Sequence, residues 1–332
     1  MEPLSEQDIS TAGARPLISS SVLAWNAIEK LLQDEHCIID GRSLNIASVV
    51  AIAKYGVSTQ ISADTEIDKR MNDSVSMLRT HLDSGHLVYG VSTGFGGSAD
   101  TRTDHLEDLQ RALVKHQNTG VLTSHDIGRP QNASATDRPL HSRDLDLRFS
   151  TNSMPTSWTI LQLLNKDIIP VVPLRGNISA SGDLSPLSYI AGAIEGSPNI
   201  YVRLANGNVS SAAEALKDAG IEPVVFQPKE GLGLLNGTAF SAATASLVLH
   251  QSREAAILSQ VLTAMSVEAM QGSAEPFWPQ IAKMRPHPGQ IESAANILSF
   301  LRGSKLAKCV GSPKDTKMTG LYQDRYALRT AS

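Results

Sequence analysis

The sequence predicts a mainly α-helical protein, and three observations carry that expectation. Aliphatic side chains dominate the apolar set while aromatic residues make up only 5% of the chain, a balance that suits packed helices better than sheets. Apolar residues recur at three- and four-residue spacing, the period of an amphipathic helix. One apolar-rich segment, Phe240 to Met270, runs for about 30 residues, roughly 45 Å as a helix, and helices of that length pack in bundles, often against copies of themselves.

Taken in order, residues 1–20 are polar, contain Gly13 and Pro16, and read as a flexible leader. Ile67, Met71, Val75, Leu78 and Leu82 then mark one face of a helix that Gly85 is placed to end. Residues 123 to about 157 break the pattern, being poor in apolar residues and rich in turn formers. Helical character resumes at Trp158 to Leu164 and stops at Pro170. The long segment from Phe240 carries an apolar stripe through Leu247, Ile257, Leu258, Val261, Met265 and Ala269, with Gly272 closing it.

A chain of 332 residues can bury a substantial core as one large or two modest domains. Its net charge of −4 and lack of a basic block give no sign of a nucleic-acid or anionic-membrane partner. Cys37 and Cys309 are too few for a disulfide scaffold and suit a reducing compartment. The first residues are acidic, without a basic start and apolar run, and no run reaches the length of a membrane span. Asn-X-Ser/Thr matches at Asn132, Asn177, Asn208 and Asn236 then read as chance. These points predict a soluble cytoplasmic protein. No His-Glu-X-X-His or Cys-X-X-Cys spacing exists, so no metal is expected.

The chemistry-bearing feature is Ala180-Ser181-Gly182, within Pro173-Leu-Arg-Gly-Asn-Ile-Ser-Ala-Ser-Gly-Asp-Leu-Ser-Pro-Leu-Ser188. Ordinary side chains are poor electrophiles, so chemistry that needs an electron sink usually borrows a cofactor. This tripeptide can make one. Attack of the Gly182 nitrogen on the Ala180 carbonyl carbon, with loss of two waters, one carrying the Ser181 hydroxyl, yields a methylidene-imidazolone with an electron-poor methylene. Gly lacks the Cβ that would resist this approach, and Ala is small enough to let the loop fold tightly.

Around the tripeptide the sequence resembles the aromatic amino acid ammonia-lyases, the family of phenylalanine/tyrosine and histidine ammonia-lyases. Four further tracts carry the same resemblance: Tyr89-Gly-Val-Ser-Thr-Gly-Phe-Gly96, Lys229-Glu-Gly-Leu-Gly-Leu-Leu-Asn-Gly-Thr238, Arg285-Pro-His-Pro-Gly-Gln-Ile-Glu292 and Gln323-Asp-Arg-Tyr-Ala-Leu-Arg-Thr330. Five tracts in order are far more specific than one short motif. Gly94-Phe-Gly96-Gly-Ser-Ala99 also matches a dinucleotide fingerprint formally, but no acidic residue follows at about 20 positions and no strand–helix alternation surrounds it, so no nucleotide is expected.

The resemblance implies a helical-bundle fold of the aspartase/fumarase type. Residues 21–225 would form an N-terminal domain bearing the cyclised loop, and 226–332 the start of a central bundle. It implies Tyr89 as the base that removes the β-proton; a free phenol has a pKa of about 10 and needs nearby positive charge or donors to do so near neutrality. Asn236 would contact the substrate amine or carboxylate, and Leu232 the substrate. Arg329 would clamp the carboxylate, which a guanidinium binds bidentately, with Gln323 and Tyr326 beside it, Tyr326 among the catalytic set. The pair His116-Gln117 is similar to fungal members accepting both phenylalanine and tyrosine, since His can hydrogen-bond a phenol. Family members are homotetramers whose sites combine residues of three subunits. The expected reaction is deamination of L-phenylalanine, and of L-tyrosine, to cinnamate or coumarate and ammonia. A catalytically inert fragment, a histidine ammonia-lyase and an aminomutase stay open. Two departures motivate the first: the family's Asn-Ser-Leu-X-Arg-Gly-His segment has no counterpart near residues 123–157, through substitution or natural divergence, and family members continue well beyond Ser332.

Overall fold

The computed structural model describes residues 17–122, 154–178, 180–308 and 324–331. The expected leader therefore lies mostly outside the described residues, as do 123–153 of the turn-rich stretch, together with Cys309, Asn132 and Gln323. The chain divides into two compact units, Ala27–Val248 and Met1–Asn26 with Leu249–Ser332. The described residues are mainly helical, as the sequence predicts.

Helix α1 (Leu17–Asp34) begins four positions inside the span read as leader, its first N–H bonded to the Glu292 carboxylate. Strands β1 (His36–Ile39) and β2 (Ser58–Ile61) pair in parallel, with His36 opposite Ser58, across helix α2 (Ile46–Tyr55). Asn45 caps α2 by accepting the Ser48 N–H at 3.0 Å. Helix α3 (Thr65–Asp83) starts on an Asp64 cap and ends just before Gly85, which has φ +75°. Its apolar face is the one expected: Ile67 and Met71 are buried, while Val75, Leu78 and Leu82 are half-buried and line a groove against Gln227–Glu230.

Helices α4 (Leu106–Gln117), α5 (Met154–Asn165) and α6 (Ser185–Ile194) build the main core. Helix α5 is followed by β3 (Ile169–Pro170), which pairs antiparallel with β4 (Tyr201–Arg203), and that with β5 (Val209–Ser211). All ten residues of α6 are buried, so it is the axis of this unit. Helix α7 (Ala212–Ala219) is capped by Ser211, and α8 (Glu230–Leu235) packs against both α4 and α6. Leu113, Val114, Ile160, Ile190, Ile194, Leu216 and Leu235 are at most 5% exposed. Burial on this scale, at about 25 cal/mol per Å² of apolar surface, is what holds the loops between these helices in place.

Helix α9 (Ala239–Ala269) matches the long helix expected, but not its buried face. Leu247 is buried as predicted, whereas Leu258 and Met265 are more than half exposed and Gln260, Ala264 and Val267 point inward. Apolar residues occur all round this helix, so spacing alone cannot choose a face. Its left-handed terminating residue is Gln271 (φ 49°), and Gly272 N–H then reaches back to the Val267 carbonyl at 2.8 Å.

A second correction concerns membrane-span length. The stretch Glu230–Ala269 meets it by length and composition, with mean hydropathy 1.4 over an 18-residue window, of which 22% is buried. The core helix of a protein that spans no membrane can meet the same measure. The second unit closes with α10 (Pro279–Met284), α11 (Pro288–Phe300) and α12 (Tyr326–Arg329) around Val267, Phe277, Ala294 and Ile297.

Candidate active site

Tyr89 stands on a loop whose glycines are set by space. Gly90 has φ +67°, and a Cβ there would lie 2.7 Å from both Leu232 Cδ2 and Phe95 Cε1. At Gly94 it would lie 2.3 Å from the Ser98 carbonyl oxygen. The loop closes through Thr103 N–H to the Ser92 carbonyl at 3.2 Å and folds as a short 3₁₀ turn over Gly96–Ser98, not as a strand-to-helix nucleotide site. The Tyr89 ring is half exposed and meets Phe95 edge to face at 6.4 Å. Its phenol oxygen accepts the Gly96 N–H at 2.8 Å. Lys229 Nζ donates to the Tyr89 carbonyl at 2.7 Å and lies 5.6 Å from the ring centroid. Burial pushes the Lys229 ammonium below its ordinary pKa. A donor on the phenol and a cation beside the ring are thus both present. Gly90→Ala is expected to cost about 1–3 kcal/mol of stability, read as a lowered denaturant midpoint.

The Ala180-Ser181-Gly182 segment is a turn held at both ends by one carboxylate. Asp183 N–H donates to the Ala180 carbonyl at 3.0 Å. The Asp183 carboxylate accepts Ile178 N–H at 2.6 Å and Ser185 N–H at 3.2 Å, tying the arm before the turn to the start of α6. All three turn residues are exposed, and nothing lies within 4 Å of a Cβ built on Gly182. The Ala180 carbonyl is therefore polarised by a donor, with free space at Gly182. These residues fit the methylidene-imidazolone that their sequence suggests.

The segment after α4 ties to α6 and, at one point, to the arm before the turn. Just beyond His116 and Gln117, Asn118 Nδ2 donates to Ser188 Oγ at 2.8 Å and Gly120 N–H to the Tyr189 phenol oxygen at 3.1 Å. Val121 N–H reaches the Arg175 carbonyl at 3.1 Å. His116 is exposed and Gln117 half-buried in the last turn of α4. On α8, Leu232 is 7% exposed beneath Gly90, and Asn236 ends the helix with an exposed side chain. The Tyr89 loop, the Ala180–Gly182 turn, His116, Gln117, Leu232 and Asn236 all belong to the unit Ala27–Val248.

Tyr326 and Arg329 belong to the other unit, on the single turn α12, with the Arg329 guanidinium 5.4 Å from the Tyr326 ring centroid. Asp324 anchors this turn to the end of α9. Its carboxylate accepts Ser273 N–H at 2.7 Å and Arg325 N–H at 2.8 Å, and Arg325 Nη1 reaches the Met270 carbonyl at 3.1 Å. Burial opposes ionisation, but these hydrogen bonds and the Arg325 charge outweigh it and hold the carboxyl below its ordinary value. A folded-state pKa below the unfolded one adds stability at pH above the unfolded value, lost as the pH falls through the folded one. Asp324→Asn is therefore expected to lower the melting temperature at neutral pH by a few degrees, on the order of 2–5 °C. The gap to the parent should close in acid, which melts taken across pH will check.

Beyond geometry, a family model for aromatic amino acid lyases matches residues 44–332. The chain belongs to this family. A phenylalanine ammonia-lyase of Aspergillus hancockii is 47% identical over 93% of this chain and 45% of its own length. A phenylalanine aminomutase (L-beta-phenylalanine forming) of Talaromyces islandicus is 48% identical over 92% of this chain and 44% of its own. The solved phenylalanine ammonia-lyase from the yeast Rhododporidium toruloides superposes with a TM-score of 0.74 at 39% identity, covering 93% of this chain and 46% of that one. The chain spans about half the length of the curated relatives it matches. The lyase-family fold expected from the sequence is thus the fold found.

Sequence reasoning missed three residues whose hydrogen bonds join separate parts of this unit: Asp183, Lys229 and Gln110, the last bonded to the Gly90 carbonyl and the Leu232 N–H. Asp183 and Lys229 sit in the quoted tracts without an assigned role. Gln110 could have been noticed as the polar residue on the face of α4 that carries Leu113 and Val114.

Proposed function

We propose that the chain carries the electrophile-forming and base-bearing portion of an aromatic amino acid ammonia-lyase acting on L-phenylalanine, and also on L-tyrosine. The observation that carries this reading is the exposed Ala180–Gly182 turn with its Asp183 clasp, in the same unit as Tyr89. When formed, the methylidene-imidazolone supplies the electron-poor methylene that draws electrons from the substrate amine or ring. Tyr89 takes the β-proton, its oxygen oriented by Gly96 N–H and the positive charge of Lys229 nearby favouring a negative oxygen. Asn236 holds the substrate amine or carboxylate, and Arg329 of another copy pairs with the carboxylate, with Tyr326 and Gln323 assigned to the same step. His116 and Gln117 face the aromatic ring, with His116 the donor for a phenol. Leu232 backs the Tyr89 loop.

Assembly with further copies is part of the proposal. Leu258, Leu262 and Met265 on α9, Met270 just after it, and Leu174 and Ile178 beside the turn, are each at least 50% exposed. Apolar exposure on this scale suits burial between subunits of a homotetramer in the cytoplasm. The aminomutase relative favours a second reading, in which the amino group returns at the β-carbon. Incubating the purified chain with L-phenylalanine separates the two: trans-cinnamate and ammonia support the lyase, and β-phenylalanine the mutase. No product, with an unmodified Ala180–Gly182 peptide by mass, would overturn both.

A further inference from the structure

Gln110 lies at the centre of α4 and is completely buried. Both ends of its amide are used, and both partners matter. Nε2 donates to the carbonyl of Gly90, the residue after Tyr89, at 2.9 Å. Oε1 accepts the N–H of Leu232, on the helix that ends in Asn236, at 3.2 Å. Because one end of the amide donates and the other accepts, it spans the two elements in one orientation only. The fit is tight as well, since a Cβ at Gly231 would lie 3.1 Å from both Gln110 Cβ and Oε1.

We propose that Gln110 is the positioning residue that fixes the Tyr89 loop relative to the Asn236 helix, and so sets the approach of the base to the substrate. Lys229 ties the same two elements from the exposed side, through the Tyr89 carbonyl. A loop held by Lys229 alone keeps a flexible tether and loses the buried, directional one. Gln110 touches neither substrate nor the reacting atoms, so its effect passes through Tyr89. The proposal rests on the lyase reading for its kinetic consequence and on geometry alone for its structural one.

The test is Gln110→Met in the full chain, which keeps length and apolar bulk and removes both hydrogen bonds. With L-phenylalanine, kcat is expected to fall about 10- to 100-fold, the scale of a displaced catalytic group, with KM changed by no more than about threefold and the Ala180–Gly182 peptide cyclised as in the parent. The primary isotope effect with β-deuterated phenylalanine should rise, because proton removal becomes limiting. Amide hydrogen exchange should quicken over 89–96 and stay unchanged in α6. A kcat within twofold of the parent, or a loss matched by lost folded protein with an unchanged isotope effect, overturns the proposal. If the parent chain itself has no turnover, the lyase reading is what fails. The exchange measurement then decides on its own, and protection of 89–96 equal to the parent's overturns Gln110 as the tether.

Discussion

Ser181→Ala is expected to abolish formation of the electrophile and to lower turnover by about 10³-fold or more, since the difficult part of the chemistry is assigned to that group. The substitution removes the hydroxyl that must leave and nothing else. Ser181 is exposed and makes no contact on which the core depends, so stability should stay within about 0.5 kcal/mol of the parent. The hydrogen bonds of Asp183 to Ile178, Ser185 and Ala180 involve main-chain groups that alanine keeps. Peptide mass and cinnamate production on the same sample check the two halves together. A variant that turns over like the parent would remove the assigned role of this turn.

Tyr89→Phe should separate the base from the electrophile. The ring edge on Phe95 and the Lys229 bond to the Tyr89 carbonyl do not need the hydroxyl. The loop should hold and the Ala180–Gly182 peptide should cyclise normally, while the Gly96 N–H loses its acceptor. Turnover is expected to drop about 10²- to 10⁴-fold, the range for removing a general base, with substrate binding little changed. Steady-state kinetics beside the peptide mass make the check. Near-parent turnover would assign proton removal to another group.

Much of this was legible in the residues. The helical character of α3 and α9 was legible from the spacing of their apolar residues, and the chemistry proposed for Ala180–Gly182 follows from what those three residue types can do. The buried face of α9 was not legible, because Leu258 and Met265 compete with Ala264 and Val267 and only neighbouring elements decide between them. Gln110 was hidden for a related reason. A glutamine on an apolar helix face signals a satisfied buried amide, but its partners, Gly90 and Leu232, lie 20 and 122 positions away. Asp324 likewise shows its use only where the end of α9 meets it, 51 positions upstream at Ser273. Local chemistry can be read along a chain, while positioning by distant backbone groups needs the fold.

The bonds from 118–121 to α6 and to Arg175 have a consequence for what a cyclised peptide would record. Contacts between 118–121 and residues such as Tyr189, 69 positions away from Gly120, exist only once the core around α6 has formed. On the proposed reading, ring closure would expel water and form a covalent bond, and so would mark a molecule permanently after the fold that enabled it is gone. The cyclised fraction in a preparation is then a cumulative count of molecules that ever reached the native state, whereas activity counts those still there. On that reading, a parent sample that keeps the ring but loses turnover it once had has folded and later come apart; one poor in both never arrived.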